Sequence, residues 1–592
     1  MGKQQQKDYG ERCEGAKKAV RSSHPGSRLT MNEANHGREG RVGGRGWRSP
    51  RSGKYHWSMR SHLIVATVAA VAATLIGAAP ASAQSGQDNP SGDPVVQKIY
   101  DEGMHHSQLE RLAQPLMDSI GPRLTGSAAN RAANDWLLKT YKSWGIDARN
   151  EKYGTWRDWT RGKSTLELVS PRYRVLEATM HAWSAATPAA GVTADVVIIP
   201  TASQITDSAG FARWLGTIKG KLVLISEPQV TCRPDADIRS WADSATYQHA
   251  VFQRDSAATE WRARFTAAHV DGRTLPALLA RAGVAGVLSN GWSRGWGVDK
   301  IQSSRAADVP SFDVSCEDYS LLARLASNGQ SPRVHAMANA KLAPTESPVF
   351  NTIAEIKGSE KPDEYVMLSA HLDSWDSGSG GTDNGTGTIT MLEAMRILKT
   401  AYPHPKRTIL VGHWSGEEEG EIGSSAFAAD HPEVLKGLQA LFNQDNGTGE
   451  IDSVQTNGFI DATPSLARWM SRMPADMTRN VTLMFPGVAH NESTDSDAFD
   501  CYGAPGFFLT SSDWSYTDYT WHTNRDTYDK INFDNVKRNA TLVALFAYEA
   551  SEDPTFVSRT RRVPPIDQRT NQPMRVPSCR VPPRSWEASQ RR

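Results

Sequence analysis

The segment YVMLSAHLDSWDSGSGGTDNGTGTITMLEAMRILKT, residues 365–400, decides the fold. It opens as a short apolar strand over 365–370, turns polar at His371, Asp373 and Asp376, crosses a glycine-rich turn holding Asp383, and resumes as a helix over 387–400. Residues 351–357 lead into it. A strand at 408–412, a helix at 424–429 and a strand at 438–442 continue the alternation. Strand and helix in turn indicate an α/β protein with a mostly parallel central sheet flanked by helices. Ligands of such folds bind beyond the carboxyl ends of the strands, so the residues just after each strand matter most.

Those positions are rich in metal-ligating types. His371 and Asp373 follow the first strand, Glu417-Glu418-Glu419-Gly420 follow the second, and Asp445 follows the third. Asp383 sits in the glycine-rich turn and His522 in the stretch WHTNRDT, residues 521–527. His371, Asp383, Glu418, Asp445 and His522 offer two imidazoles and three carboxylates. This donor set suits a pair of borderline divalent ions, most simply Zn2+, sharing one carboxylate. Two such ions polarise a carbonyl and generate a hydroxide near neutral pH, and a spare carboxylate beside a ligand can move the proton.

Plainer roles suit other residues. His413 reads as a packed strand residue, Asp376, Asp495 and Asp497 as surface or turn acids, and Tyr516 and Tyr519 as loop aromatics or contributors to a substrate pocket. Gly291-Trp292-Ser293-Arg294-Gly295 matches a nucleophile elbow and raises a serine esterase as a rival, but the elbow must open a helix and Gly295-Trp296-Gly297 follows instead. The glycines of 378–387 lack the Gly-Lys-Ser/Thr of a phosphate loop, and no His-Glu-x-x-His occurs.

Taken in order, these motifs resemble the M28 family of zinc exopeptidases. FNTIAEIKGSEKPDE (350–364), HLDSWD (371–376) and Asp383-x-Gly-x-Gly look most like its carboxypeptidase Q branch. The likeness covers roughly residues 94–554, including GPRLTGS (121–127) and a segment similar to a protease-associated domain. The resemblance implies that Asp383 bridges two metals, with His371 and Asp445 on one ion and Glu418 and His522 on the other. It makes Glu417 the general base and acid and Asp373 the carboxylate that orients His371. It also implies a cis peptide after Asp383 and a homodimer. Acidic Glu421 departs from the leucine common in relatives, and the third glutamate, Glu419, leaves a one-residue register shift open. The implied activity is hydrolysis of peptides at a terminus, or of dipeptides. An aminopeptidase of the same family and a catalytically silent binding protein are the alternatives.

The chain has 592 residues, 66 Lys+Arg and 65 Asp+Glu. Near-neutrality argues against a nucleic-acid partner, yet it is a sum over unlike parts. Residues 1–58 hold 13 basic and 5 acidic residues with no apolar period, which reads as a disordered or non-native leader. Residues 59–83 combine Arg60, an apolar run over 63–79 and Ala81-Ser82-Ala83, the pattern of a secretory signal peptide, with a membrane anchor as the alternative. Cleavage there would leave no stable membrane span and a secreted or periplasmic protein. Peptidase parts are expected at 84–165 and 345–554, enclosing a mainly-β protease-associated module at 166–344. Residues 555–592, with 9 Arg against 2 acids and paired prolines, read as a disordered tail. Of five cysteines, Cys232, Cys316 and Cys501 lie in the expected folded part, so at most one disulfide is anticipated there.

Overall fold

The computed structural model describes residues 91–306, 308–487, 494–574 and 578–591. The expected leader and signal peptide lie outside the described residues. Among those described, no helix is long and apolar enough to cross a membrane.

The sheet that carries the strand ends runs in the order Thr482–Met484, Ile451–Gln455, Gly506–Ser511, Leu438–Gln444, Lys361–His371, Arg407–Trp414, Arg333–Ile356. The middle of it is parallel, as the alternation predicts: Lys361–His371 pairs in parallel with both Arg407–Trp414 and Leu438–Gln444, and the latter with Gly506–Ser511. Residues of one strand divide between two cores. Val366, Leu368 and Ala370 face helices Thr386–Ala401 and Phe533–Glu552, while Met367 meets Leu410, Phe427 and Leu441 on the other side. A strand covered on both faces must be apolar throughout, which is why 365–370 carries no alternation.

Helix Pro94–His105 packs on the same side as Phe533–Glu552. Its start is encoded locally: the Asp93 side chain accepts from Val95 N at 2.8 Å and Pro94 occupies the first turn. After a break at His106 the chain continues as helix Leu109–Gln114, widens over Pro115–Ile120 and, past the GPRLTGS turn, forms helix Ala128–Ser143.

Two 24-residue strands, Asp147–Ser170 and Arg333–Ile356, form an antiparallel ribbon with register from Asp147↔Glu355 to Ser170↔Arg333. The expected boundaries at 165/166 and 344/345 therefore cut through continuous strands. At its far end the ribbon joins the parallel strands Val192–Ile198, Leu222–Leu224, Gly286–Ser289 and Ser311–Val314. This segment is not mainly β. It contains helices Ser208–Leu215, Asp235–Trp241, Ser244–Ala268, Leu275–Arg281 and Cys316–Ser327. The longest of them buries only Trp261 and Ala268, so its sequence shows no apolar stripe to betray it.

The tail expectation is also corrected. Cys579 is bonded to Cys501, and Cys232 to Cys316, giving two disulfides rather than one. Arg584 pairs with both oxygens of Asp430 at 2.9 and 2.8 Å, and Trp586 packs on Trp156 and Trp183 with ring centroids 5.5 and 5.3 Å away. Arginine and proline content looks disordered in isolation, yet Arg584 and Arg580 find the acids Asp430 and Glu421 on the folded body and Arg561 lies 4.3 Å from the centroid of the Phe459 ring.

Candidate metal centre

Strand register alone begins to assemble the site. Trp414 lies opposite His371 and Asn443 opposite Ser369, so Glu417 and Asp445, a few residues past their strands, arrive beside His371. His371 Nε2 is 3.1 Å from Asp445 Oδ1, 3.5 Å from Asp383 Oδ1 and 3.9 Å from Glu417 Oε2. His522 Nε2 is 3.0 Å from Glu418 Oε2 and 3.2 Å from Asp383 Oδ2. The ligand atoms fall into two triads, His371–Asp383–Asp445 and Asp383–Glu418–His522, each within 4.8 Å, and Asp383 is common to both. All five residues picked out in the sequence are brought together. Glu419 belongs to neither triad.

Each ligand is braced. His371 Nδ1 donates to the Asp373 carbonyl at 3.0 Å, with the Asp373 carboxylate further off at 3.8 Å. The Asp373 side chain instead accepts from Thr125 Oγ1 at 3.0 Å and from the backbone N–H groups of Glu417 and Glu418 at 3.3 Å each. It therefore fixes the turn carrying both glutamates as well as the strand end carrying the imidazole. Asp445 Oδ2 accepts from Thr494 Oγ1 at 2.8 Å. Asp383, followed by the expected cis peptide to Asn384, has its N–H held by Asp526 Oδ2 at 3.0 Å, and Asp526 Oδ1 accepts from Thr382 N and Oγ1 at 2.7 and 2.8 Å.

Arg123, fully buried, lies beneath the glycine-rich turn. It donates from Nε to the Leu372 carbonyl at 2.7 Å, from Nη1 to those of Gly121 and Ser379 at 3.0 and 2.7 Å, and from Nη2 to that of Gly380 at 2.8 Å. Burial pushes its guanidinium down to about 10 against the pull of Asp526, Asp373 and Asp383. Gly380 has φ +58°, and a Cβ there would lie 2.4 Å from Ser374 Cβ, so this turn position needs glycine on both counts. Arg123, Thr125 and Asp526 are functional neighbours that spacing did not single out, although two of them lie in the quoted GPRLTGS.

The electrostatics are those of a crowded acid cluster. Burial raises Glu417 well above the usual carboxylate range, with His371 lowering it and Asp445 and Glu418 raising it further. Burial pushes Glu418 up to about 7, opposed by His522. Both imidazoles are raised: burial lowers them, but Asp445 and Glu417 outweigh it at His371, and Glu418 does so at His522. Glu418 Oε1 is buried with no hydrogen-bond partner among the described residues. Carboxylates packed this closely, with a spare buried oxygen and two imidazole nitrogens facing inward, fit divalent cations of borderline character.

The remaining sequence candidates lie as follows. His413 is buried and bonds the Tyr141 hydroxyl at 2.7 Å. Asp376 makes a two-bond pair with Arg161 at 2.7 and 2.8 Å. Asp495 and Asp497 are buried, not surface acids. Tyr516 is buried, and burial together with Asp383 and Asp445 holds its phenol well above the usual range, so it faces the acids. Glu421, the departure from the common leucine, is buried and paired with Arg580 at 2.9 Å. Ser293 Oγ donates to the Asp518 carbonyl at 2.8 Å, and among the described residues no helix follows it before Cys316–Ser327.

Known proteins resemble this chain in sequence and in fold. Residues 351–547 match Peptidase family M28. The chain is 26% identical to carboxypeptidase Q of Mus musculus over 445 residues, which is 75% of this chain and 86% of that protein. A Peptidase M28 precursor from Shewanella amazonensis superposes with a TM-score of 0.60 at 24% identity, over 80% of this chain and 98% of that one. A Bacillus subtilis zinc aminopeptidase superposes with a TM-score of 0.50 at 19% identity, over 76% and 96%. These two share the fold.

Proposed function

Starting from the match of residues 351–547 to Peptidase family M28, we propose that the protein is a secreted or periplasmic metallo-exopeptidase that hydrolyses peptides at a terminus, or dipeptides, with two zinc ions. The observation that carries this reading is the pair of ligand triads sharing Asp383 at the carboxyl ends of the parallel strands. His371 and Asp445 would hold one ion, Glu418 and His522 the other, and Asp383 both. When bound, the ions would supply Lewis-acid polarisation of the scissile carbonyl and make a water acidic enough to attack near neutral pH.

The chain's own residues do the rest. The Glu417 carboxylate, 3.9 Å from His371 and in neither triad, takes the proton of the attacking water and returns it to the leaving amine. Burial, with Asp445 and Glu418 beside it, raises its proton affinity well above the usual carboxylate range, the direction that suits a carboxylate that must accept a proton and hold it until the amine leaves. Asp373 keeps the turn and the His371 carbonyl-facing nitrogen in place. Trp375 and Ile301 close the apolar side of the pocket beside Asp383, Glu418 and His522. Two disulfides suit an oxidising compartment.

The test is zinc content together with product analysis on peptides with free and blocked termini. The expected result is near two zinc per chain and cleavage abolished by chelation. Glu417→Gln should lose at least ~10²-fold in kcat with zinc retained, and Ser293→Ala should stay active. Hydrolysis undiminished by Glu417→Gln would refute the assignment.

A further inference from the structure

The C-terminal residues are tied to the folded body at several points. Ser585 forms a parallel bridge with Thr155, and Thr155 N donates to the Arg584 carbonyl at 3.0 Å. Arg584 in turn pairs with Asp430, the last residue of helix Ile422–Asp430. Arg580 meets the other end of that helix: its Nη1 is 2.9 Å from Glu421 Oε1 and 3.4 Å from the Gly420 carbonyl. Glu421 directly precedes the helix, and its side chain is 3% exposed. Beside Arg580, Cys579 is bonded to Cys501.

Glu421 closes the turn that presents Glu417 and Glu418. Gly420 N and Glu421 N both donate to the Glu417 carbonyl, at 2.7 and 2.9 Å, and Ile422 N donates to the Gly416 carbonyl at 2.8 Å. Glu421 adopts φ 57°, a left-handed conformation that a glutamate keeps only where its surroundings hold it. Its buried carboxylate is stable there while a cation faces it. Without Arg580 the group must take up a proton or swing toward water, and the hydrogen-bonded turn moves with it. Asp373 grips the turn at the N–H groups of Glu417 and Glu418, and Arg580 grips it at its far end.

The catch on this grip is the disulfide next to Arg580. Cys501 and Cys579 are half-buried and border exposed Tyr502 and Ser578, whereas Cys316 of the other disulfide is 1% exposed. A reductant therefore meets the Cys501–Cys579 bond first.

We infer that Arg580 is a positioning residue for Glu417, and that a dithiol which opens the Cys501–Cys579 disulfide slackens the C-terminal segment, releases Glu421 and slows hydrolysis. In that exchange the dithiol gives up two electrons and two protons and closes as its own disulfide, while Cys501 and Cys579 leave as thiols. The inference rests on the metallo-exopeptidase reading, in which Glu417 moves the proton.

The experiment follows peptide hydrolysis by the full zinc-loaded chain before and after reduction. Thiols bind zinc, so the reductant is a water-soluble phosphine, which takes the oxygen of water and ends as its oxide. Misplacing a reacting group by ~1 Å costs up to ~10²-fold, so kcat of wild type should fall at least ~10-fold with KM within ~2-fold, and return on reoxidation. Alkylation mapped by mass spectrometry should find Cys501 and Cys579 open with Cys232 and Cys316 still joined. Arg580→Met should have the low kcat in both redox states, and Arg580→Lys should recover part of it. Cys501→Ser with Cys579→Ser should match reduced wild type and ignore the phosphine, and it decides the matter if the bond resists reduction. Reduction of already folded wild type needs no variant, so a variant that fails to fold does not spare the inference. Full kcat in wild type with Cys501 and Cys579 alkylated, full kcat in the serine variant or in Arg580→Met, or inhibition of the serine variant by phosphine as strong as that of wild type overturns the inference and leaves the metallopeptidase reading standing. No hydrolysis of any peptide by oxidised, zinc-loaded wild type overturns both.

Discussion

Arg123→Met tests whether the GPRLTGS loop supports the metal centre or merely the fold. The guanidinium makes four hydrogen bonds to carbonyls of 2.7–3.0 Å, three of them to Leu372, Ser379 and Gly380, which bracket the turn between His371 and Asp383. Hydrogen bonds to a charged group contribute ~1.5 kcal/mol each at the low end, or ~6 kcal/mol together. Against that stands the cost of burying the charge: a guanidinium pushed down to about 10 has lost ~3 kcal/mol relative to water. The variant, which keeps the volume but leaves four carbonyls unpaired, should therefore lose ~3 kcal/mol of unfolding free energy. Denaturant unfolding of the metal-free protein with disulfides intact measures this. Freed from the clamp, the turn should also hold zinc at least ~10-fold more weakly, as removal of groups behind ligands does, read by competition with a chromophoric chelator. Unchanged zinc affinity with lowered stability would mean that the clamp serves the fold alone. A change below ~0.5 kcal/mol in stability with unchanged affinity would refute the whole account of Arg123.

Two further outcomes are expected. Burial and the neighbouring Asp313 push the buried Asp299 carboxyl up to about 8; a proton held in the folded chain and released on unfolding gives stability that is complete below about pH 4 and lost as pH rises through 8. Asp299→Asn should therefore flatten the fall in metal-free stability between pH 5 and 8 by up to ~4 kcal/mol, at ~1.4 kcal/mol for each pH unit, and identical slopes in urea unfolding would contradict this. Glu421 is buried and pairs at 2.9 Å with Arg580, whose side chain is 26% exposed, so Arg580→Met should cost ~2 kcal/mol by leaving that carboxyl unpaired while Glu421→Leu with Arg580→Met returns to within ~1 kcal/mol of wild type. A double-mutant cycle with no coupling would show that the tail does not neutralise Glu421.

How much of this was legible in the sequence follows from where each residue sits. His371, Glu417, Glu418 and Asp445 could be read because they follow apolar strands, and parallel register brings the ends of neighbouring strands together without further information. Asp383 was readable from its glycine-rich turn. Arg123 and Thr125 were visible only as letters of a turn, since their partners lie about 250 residues away. Asp526 likewise stood in the quoted WHTNRDT without a role, because nothing local marks an aspartate that tertiary packing will place beside a ligand. The helical content of 166–344 was missed for a related reason: Ser244–Ala268 meets the core at so few positions that its apolar period is absent. Composition misled at the tail, where Arg584 and Trp586 are ordered by partners that lie far back in the sequence, Asp430 and Trp156.

The two ligand triads are not mounted alike, and the difference explains what the inserted segment is for. His371 stands at the end of a central strand and Asp445 one residue beyond another; their side chains are 1% and 11% exposed, and sheet hydrogen bonds fix their separation. His522 stands on a loop, is 26% exposed and adopts φ 54°, a left-handed conformation that a histidine takes only where its surroundings hold it. What holds it is the inserted segment: Ile301 N donates to the His522 carbonyl at 2.8 Å, Asn524 N donates to the Asp299 carbonyl at 3.1 Å, and Lys300 lies in an antiparallel bridge with Thr523. The ribbon that carries this segment is continuous with the peptidase sheet along Arg333–Ile356, so the two are joined by strands and not by a linker. A site with one triad built into the sheet and the other completed from outside it has its His522 half open to adjustment by changes in the insertion, while sheet register keeps His371 and Asp445 where they are.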